Sequence, residues 1–223
     1  MKTMWLVGVD EAGRGPLAGP VAVGVVKIPV EVQPRQKSRL NLDWDLESSR
    51  FDLEEDTYDW SLIPGVGDSK QIAAEKREAL FRRAQSLRHH RQLDFAVAMV
   101  GSSVIDERGI MYAINLAVVR CIKRLELDPN TCHIRLDGSL QAPSQFSQET
   151  IIKGDAKEKV IGLASILAKV TRDKYMTRIA CRYTQYGFAQ HMGYGTEAHR
   201  EAIARYGKCP IHRVSYCKNI KTL

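Results

Sequence analysis

The sequence has no apolar run long enough to cross a bilayer; its longest are the size of single strands. No secretory leader is expected either. Met4 to Val9 is apolar, but only Lys2 precedes it, the run is too short for a signal core with a cleavage site, and acidic residues follow. A cytoplasmic protein is the expectation, with no membrane partner. Cys-x-x-Cys pairs are missing, and the five cysteines (Cys121, Cys132, Cys181, Cys209 and Cys217) are odd in number. That disfavours a disulfide framework and a zinc site, and predicts reduced, mostly buried thiols. There is no internal repeat. The glycine-rich segment around Gly13-Arg14-Gly15 has neither G-x-G-x-x-G spacing nor a G-K-[ST] ending, which disfavours a nucleotide-cofactor loop.

What is present is ordinary for a globular chain. The 223 residues are 44% hydrophobic and 26% charged, enough for one domain over 1–223 with a real core. The net charge of +7 is unevenly spread. Residues 31–63 hold nine acids against four bases, whereas residues 153–223 hold 14 bases against five acids. A basic C-terminal third suggests a polyanionic partner, although a solvated basic face would look the same.

Met4–Val9 reads as a central strand buried on both faces, and Val21–Val26 as a second strand. Alternation of Leu93, Phe95, Val97 and Met99 gives a third, and 133–136 and 149–152 give two short ones. Met111, Ile114, Ala117, Val118, Cys121, Ile122 and Leu125 follow helical spacing. Further helices are predicted from near Ser69 through Leu87 and over 160–183, with a helical C-terminal region beyond. The order predicts an α/β fold, a mixed sheet flanked by helices. Residues 31–63 interrupt it as an acidic insertion loop carrying Trp44, Phe51, Tyr58 and Trp60. Whether these aromatics pack on the domain or engage a partner stays open.

Asp10 and Glu11 end the first strand, Asp137-Gly138 the fourth, and Lys153-Gly154-Asp155 the fifth. Strand carboxyl ends are where open α/β sheets place ligands. Each feature alone is more often a turn or surface charge. Together, four carboxylates at three strand ends could hold Mg²⁺, a hard cation that prefers oxygen and keeps waters for a phosphate to displace. Two such ions roughly 4 Å apart serve phosphodiester hydrolysis. Spacing does not choose between Asp155 and Asp173 as the fourth member, though Asp173, within a helix between Arg172 and Lys174, suits an ion pair.

Here the residues carry a resemblance. Gly8 through Val21 (GVDEAGRGPLAGPV) resembles the opening signature of the ribonuclease HII family. So do Asp68-Ser69-Lys70, Leu136-Asp137-Gly138, Lys153-Gly154-Asp155, the helix Ala164–Asp173 (ASILAKVTRD), and Tyr186-Gly187-Phe188 with His191–Thr196 (HMGYGT). The match covers the chain outside 31–63. It implies an RNase H-like five-stranded mixed sheet and a catalytic, metal-holding set of Asp10, Glu11, Asp137 and Asp155. The cofactor would be Mg²⁺ or Mn²⁺, two ions during catalysis. The substrates implied are RNA/DNA hybrids and ribonucleotide-containing duplex DNA, with ribonucleotide excision in DNA replication and repair as the setting. A monomer is expected, with protein partners unspecified.

In this family Gly13-Arg14-Gly15 would read the 2′-hydroxyl through its backbone, and Tyr194 would pack on the neighbouring deoxyribose. Ser69, Lys70, Lys153, Ser165 and Lys169 are candidate phosphate contacts; Ser165, Lys169 and Arg172 share one helix face. Three departures stand out: the long acidic insert, Met192 where a lysine is usual, and Ile161-Gly162-Leu163 where I-S-A is usual. The rivals are another RNase H-like nuclease, such as a resolvase or transposase, and a hybrid-binding protein without turnover. Ribonuclease HIII, a near relative, is disfavoured by the nine residues ahead of Asp10.

Overall fold

The computed structural model describes residues 4–30, 57–67, 69 and 71–220. Most of the insert, with Trp44 and Phe51, lies outside them, as do Asp68 and Lys70. Five strands, β1 (Met4–Ala12), β2 (Val21–Val30), β3 (Asp94–Val100), β4 (Cys132–Asp137) and β5 (Ser147–Ile151), form one sheet in the order β3-β2-β1-β4-β5. β1 pairs antiparallel with β2 and parallel with β4, while β2–β3 is antiparallel and β4–β5 parallel. The mixed sheet expected from the sequence is therefore present.

Helices cover both faces. α1 (Ala74–His89) and α5 (Lys159–Ala180) lie on one, and α3 (Ile110–Arg124) on the other. The chain is completed by α2 (Ser102–Arg108), α4 (Gly154–Lys157), α6 (Phe188–His191) and α7 (Glu197–Tyr206). Strand alternation divides the core accordingly. Leu6, Val26 and Ile28 pack against α1 and α5, whereas Val7, Val9, Val23 and Val25 pack against α3. A third apolar cluster joins Leu17 and Ala18 to Met176, Tyr186, Phe188, Ile203 and Cys217 in the C-terminal part. All five cysteines are free thiols, and Cys121, Cys132 and Cys217 are buried.

Two expectations need correction, and one open question is answered. α1 starts at Ala74 rather than near Ser69, because the Arg77 guanidinium takes the Ser69 and Ile72 carbonyls and holds that stretch as turns. Met111 is exposed rather than part of the α3 stripe; its sulfur accepts from Arg14 Nη2 at 3.0 Å. Finally, the last residues of the acidic region are not loop surface. Tyr58, Trp60 and Ile63 are buried in the α1–α5 core, the two rings edge to face at 5.0 Å. For these two aromatics the open question is answered by packing.

α5 sits unusually close to the sheet. A Cβ at Gly24 would lie 2.2 Å from the Ala164 carbonyl oxygen, and one at Gly8 2.3 Å from that of Val160. No methyl fits at these distances, so two glycines on adjacent strands set the depth of the helix. We expect Gly24→Val to destabilise the protein by about 3 kcal/mol through overpacking, read as a fall in the urea midpoint. An unchanged midpoint would mean that α5 is not seated so deeply.

Candidate active site

The parallel register brings the carboxylates together. Val9 is paired with Leu136, and Asp137 with Ile151, so Asp10 and Asp137 follow at neighbouring strand ends. Asp155 arrives on α4, just beyond β5, and Lys153 turns the chain there with φ 57°. One carboxylate oxygen from each of Asp10, Asp137 and Asp155 lies within 4.8 Å of the others. Asp10 and Asp155 are 4% and 5% exposed. The Gly154 amide donates to Asp137 Oδ1 at 2.7 Å, tying β4 to α4.

Glu11 stands apart from this trio, though it lines the same cleft. Consecutive strand residues point to opposite faces. Glu11 turns to Arg14, 3.3 Å away, while Asp10 turns to α5 and accepts a hydrogen bond from Ser165. The Ser165 hydroxyl is also 2.7 Å from that of Ser69. Burial, with the Glu11 and Asp137 charges, holds the Asp10 carboxyl well above its ordinary value of 3.8. Burial and Asp137 also raise Glu11, against the opposing Arg14.

The cleft, about 440 Å³, is lined by Asp10, Glu11 and Asp137, the Ala12–Gly15 segment, Ser69, Arg77, Ser165, Lys169 and Tyr194. Lys153 is exposed and is not among these residues. Lys169 pairs with Asp173 at 2.9 Å and reaches over the Tyr194 ring. Asp173 therefore serves an ion pair, though with Lys169 rather than its chain neighbours. Arg77, which the sequence reading did not single out, lines the cleft and ties the Ser69 turn to α1. Met192 packs in the C-terminal apolar cluster. Gly162 lets α5 pass Asp155: a Cβ there would lie 2.9 Å from the Asp155 carbonyl oxygen.

Arg172 and Arg213 are both 0% exposed. Arg172 donates to the Pro20 carbonyl at 2.9 Å and that of Ala18 at 3.2 Å. Arg213 donates to the carbonyls of Gly19 at 3.0 Å, Arg14 at 2.8 Å and Gly13 at 2.6 Å. In a trans peptide the N–H points opposite the C=O. With the Gly13 and Arg14 carbonyls drawn inward, the Arg14 and Gly15 amides point away from Arg213. Gly13 has φ +86°, and a Cβ there would strike Arg172 Nε at 2.0 Å. Nothing in local sequence marked Arg213, since its carbonyl partners lie some 200 residues earlier in the chain.

The trio is a hard, all-oxygen donor set, and no cation is among the groups that act on Asp10. A divalent cation fits such chemistry, and Asp10, Asp137 and Asp155 would hold it. In metal-free protein an ionised Asp10 is therefore destabilising. A carboxyl whose folded pKa is raised contributes stability below its unfolded value, and that contribution is lost as pH rises through the folded value. At neutral pH, metal-free Asp10→Asn should melt a few degrees higher than wild type, given about 2–4 °C per kcal/mol for this size. The difference should shrink as pH falls towards 4, near the ordinary value of 3.8. Mg²⁺ should raise the melting temperature of wild type and not of the variant. Scanning calorimetry reads both, and a lower-melting variant would remove the strain argument.

Among the described residues, no helix is long and apolar enough to cross a membrane. The profile of the family described as ribonuclease HII matches residues 55–219. Relatives named ribonuclease HII include that of Endomicrobium trichonymphae, 40% identical over 95% of this chain and 84% of that protein. Another, from Caldicellulosiruptor bescii, is 40% identical over 98% and 89%. The crystal structure of ribonuclease H2 from Pyrococcus horikoshii superposes with a TM-score of 0.66 at 25% identity, covering 98% of this chain and 97% of that one.

Proposed function

Because the chain belongs to the ribonuclease HII family of metal-dependent, type II ribonucleases H, we propose that it hydrolyses the RNA strand of RNA/DNA hybrids and cuts 5′ of single ribonucleotides embedded in duplex DNA. The products would carry 3′-hydroxyl and 5′-phosphate ends. One observation carries the reading: Asp10, Asp137 and Asp155 converge within 4.8 Å, and Asp10 and Asp137 of that trio line one cleft with Gly13, Arg14 and Gly15. The cleavage centre and the reader of the 2′-hydroxyl then share one cleft.

Asp10, Asp137 and Asp155 would hold Mg²⁺ or Mn²⁺, with Glu11 as the fourth member. The Glu11–Arg14 contact joins a half-exposed arginine, and such an ion pair costs little to break. Two bound ions would supply an activated water and charge stabilisation at the leaving 3′-oxygen. The backbone of Gly13-Arg14-Gly15 would accept only a sugar bearing a 2′-hydroxyl, the group that separates RNA from DNA locally. Ser69, Lys70, Ser165 and Lys169 would contact phosphates, and Lys153, outside the cleft lining, a more distant one. Tyr194 would pack on the deoxyribose beside the ribonucleotide. We place all of this in a single catalytic domain over 1–223 that acts as a monomer, with the acidic insert outside the chemistry.

The decisive experiment offers a duplex with one embedded ribonucleotide and its all-DNA twin, each with Mg²⁺. Cleavage of the first alone is expected. Equal cutting of both would point to a resolvase-like nuclease, and tight binding without cutting to a hybrid-binding protein. Tyr194→Ala should reduce cutting at the single ribonucleotide by about tenfold more than cutting within continuous RNA, where no deoxyribose is offered; a lost, well-placed contact has this scale. Equal losses on both substrates would make Tyr194 structural.

A further inference from the structure

Tyr194 is 44% exposed, yet the turn beneath it is held by a buried group of histidines. The Tyr194 carbonyl accepts from the Thr196 amide at 2.9 Å and from His199 Nδ1 at 2.8 Å. His199 Nε2 lies 3.1 Å from His212 Nε2, and the Cys209 amide donates to His212 Nδ1 at 2.9 Å. His199 and His212 are 0% and 2% exposed.

These contacts fix the protons. A carbonyl can only accept, so His199 carries its proton on Nδ1, and a neutral ring then offers a lone pair at Nε2. His212 must therefore donate from Nε2, which leaves its Nδ1 free to accept the Cys209 amide. The Cys209 carbonyl, 3.3 Å from the same nitrogen, already accepts the His212 amide at 2.9 Å. His191 completes the group. It donates from Nε2 to the Tyr186 carbonyl at 2.7 Å, accepts the Gly193 amide at 3.2 Å, and stacks on His199 at 4.4 Å. Burial lowers His199 and His212 to about 4 each. The titratable or charged groups acting on the pair, His191, Lys208 and the two rings themselves, include no carboxylate that would favour an imidazolium.

The same turn meets the segment between β1 and β2, which carries the cleft-lining Gly13, Arg14 and Gly15. The Gly193 carbonyl accepts the Leu17 and Ala18 amides at 2.8 and 3.2 Å, and the Arg213 amide donates to the Leu17 carbonyl at 2.7 Å. We infer that His212 and His199 form an uncharged, one-directional hydrogen-bond relay that positions Tyr194 for the nucleotide beside the ribonucleotide. They are positioning residues for junction recognition and touch no substrate. The relay joins the segment after α7 to the Tyr194 turn, and a second proton on either ring would set two N–H donors face to face. This inference rests on the proposed role of Tyr194.

The experiment has two arms. In the full chain at pH 7, nitrogen-resolved NMR should show His199 protonated at Nδ1, with His191 and His212 protonated at Nε2. An Nε2-protonated or cationic His199 would overturn the relay whatever the enzyme cuts. In the second arm, His199→Phe should lower the ratio of single-ribonucleotide to continuous-RNA cleavage about tenfold, as Tyr194→Ala does. It should lower that ratio no further in the Tyr194→Ala background. His212→Gln, whose amide can still donate to His199, should keep the ratio within about twofold of wild type and serves if His199→Phe does not fold. If Tyr194→Ala lowers the ratio while folded His199→Phe leaves it unchanged, positioning is refuted. If Tyr194→Ala itself leaves the ratio unchanged, the junction reading fails, and the NMR arm then judges the relay alone.

Discussion

Asp137→Asn should abolish cleavage, by at least about 10³-fold, while leaving affinity for hybrid within about threefold. Loss of a metal-site carboxylate removes several kcal/mol of transition-state stabilisation, and each 1.36 kcal/mol is tenfold in rate. The substitution is clean. Asparagine keeps an oxygen for the Gly154 amide, now 2.7 Å from Asp137 Oδ1, so β4 and α4 should stay joined. What disappears is one anionic oxygen of the three that lie within 4.8 Å. Affinity should survive because basic groups supply most of the binding to phosphates, and residues 153–223 carry 14 of them. Single-turnover cleavage beside a binding titration decides the matter. A variant with more than about a tenth of wild-type rate would take Asp137 out of the essential set.

Arg213→Met should be the most damaging substitution far from the carboxylates. The methionine approximates the volume but satisfies none of the three carbonyls, of Gly13, Arg14 and Gly19, that the guanidinium holds. Each buried carbonyl left unpaired costs about 1–3 kcal/mol. Relief of the repulsion from nearby Arg172, which helps to lower Arg213 to about 10, offsets part of this. A net loss of about 3–5 kcal/mol follows, or on the order of 10 °C in melting temperature. Lysine should rescue little, since a single ammonium cannot reproduce the fork that spans three carbonyls. Activity should fall even below the melting transition, because the Arg14 and Gly15 amides lose their fixed direction. A variant with wild-type melting and wild-type discrimination against all-DNA duplex would show that the segment between β1 and β2 holds itself.

The strands and the long helices were legible because their signals are local. Val7 and Val9 face one layer and Leu6 the other, so β1 read as an apolar run without alternation. The α3 stripe was readable from Ile114 onward and misleading at Met111, whose turn projects past the sheet to Arg14. Periodicity reports which face a residue occupies and not where the neighbouring layer ends. The start of α1 was misplaced for a similar reason, since a side chain two turns ahead, Arg77, claims the Ser69 carbonyl.

By itself the sequence determined the mixed α/β class, the four acidic residues at or just beyond three strand ends, and the ordered motifs by which the chain resembles its family. Tertiary structure decided which of those acids meet. Strand alternation sends Asp10 towards Ser165 and Glu11 towards Arg14, and the parallel register sets Asp137 beside Asp10. It alone also decided that Arg172 and Arg213 are buried carbonyl clamps and that His199 and His212 stand behind Tyr194. A buried arginine or histidine is tolerated only where hydrogen bonds replace its water. The carbonyls that Arg172 and Arg213 hold come from the segment between β1 and β2, far away in the chain, which no local pattern of residues records. The partners of His199 and His212 are near in sequence, but only the fold of the segment around α7 turns those rings to face each other.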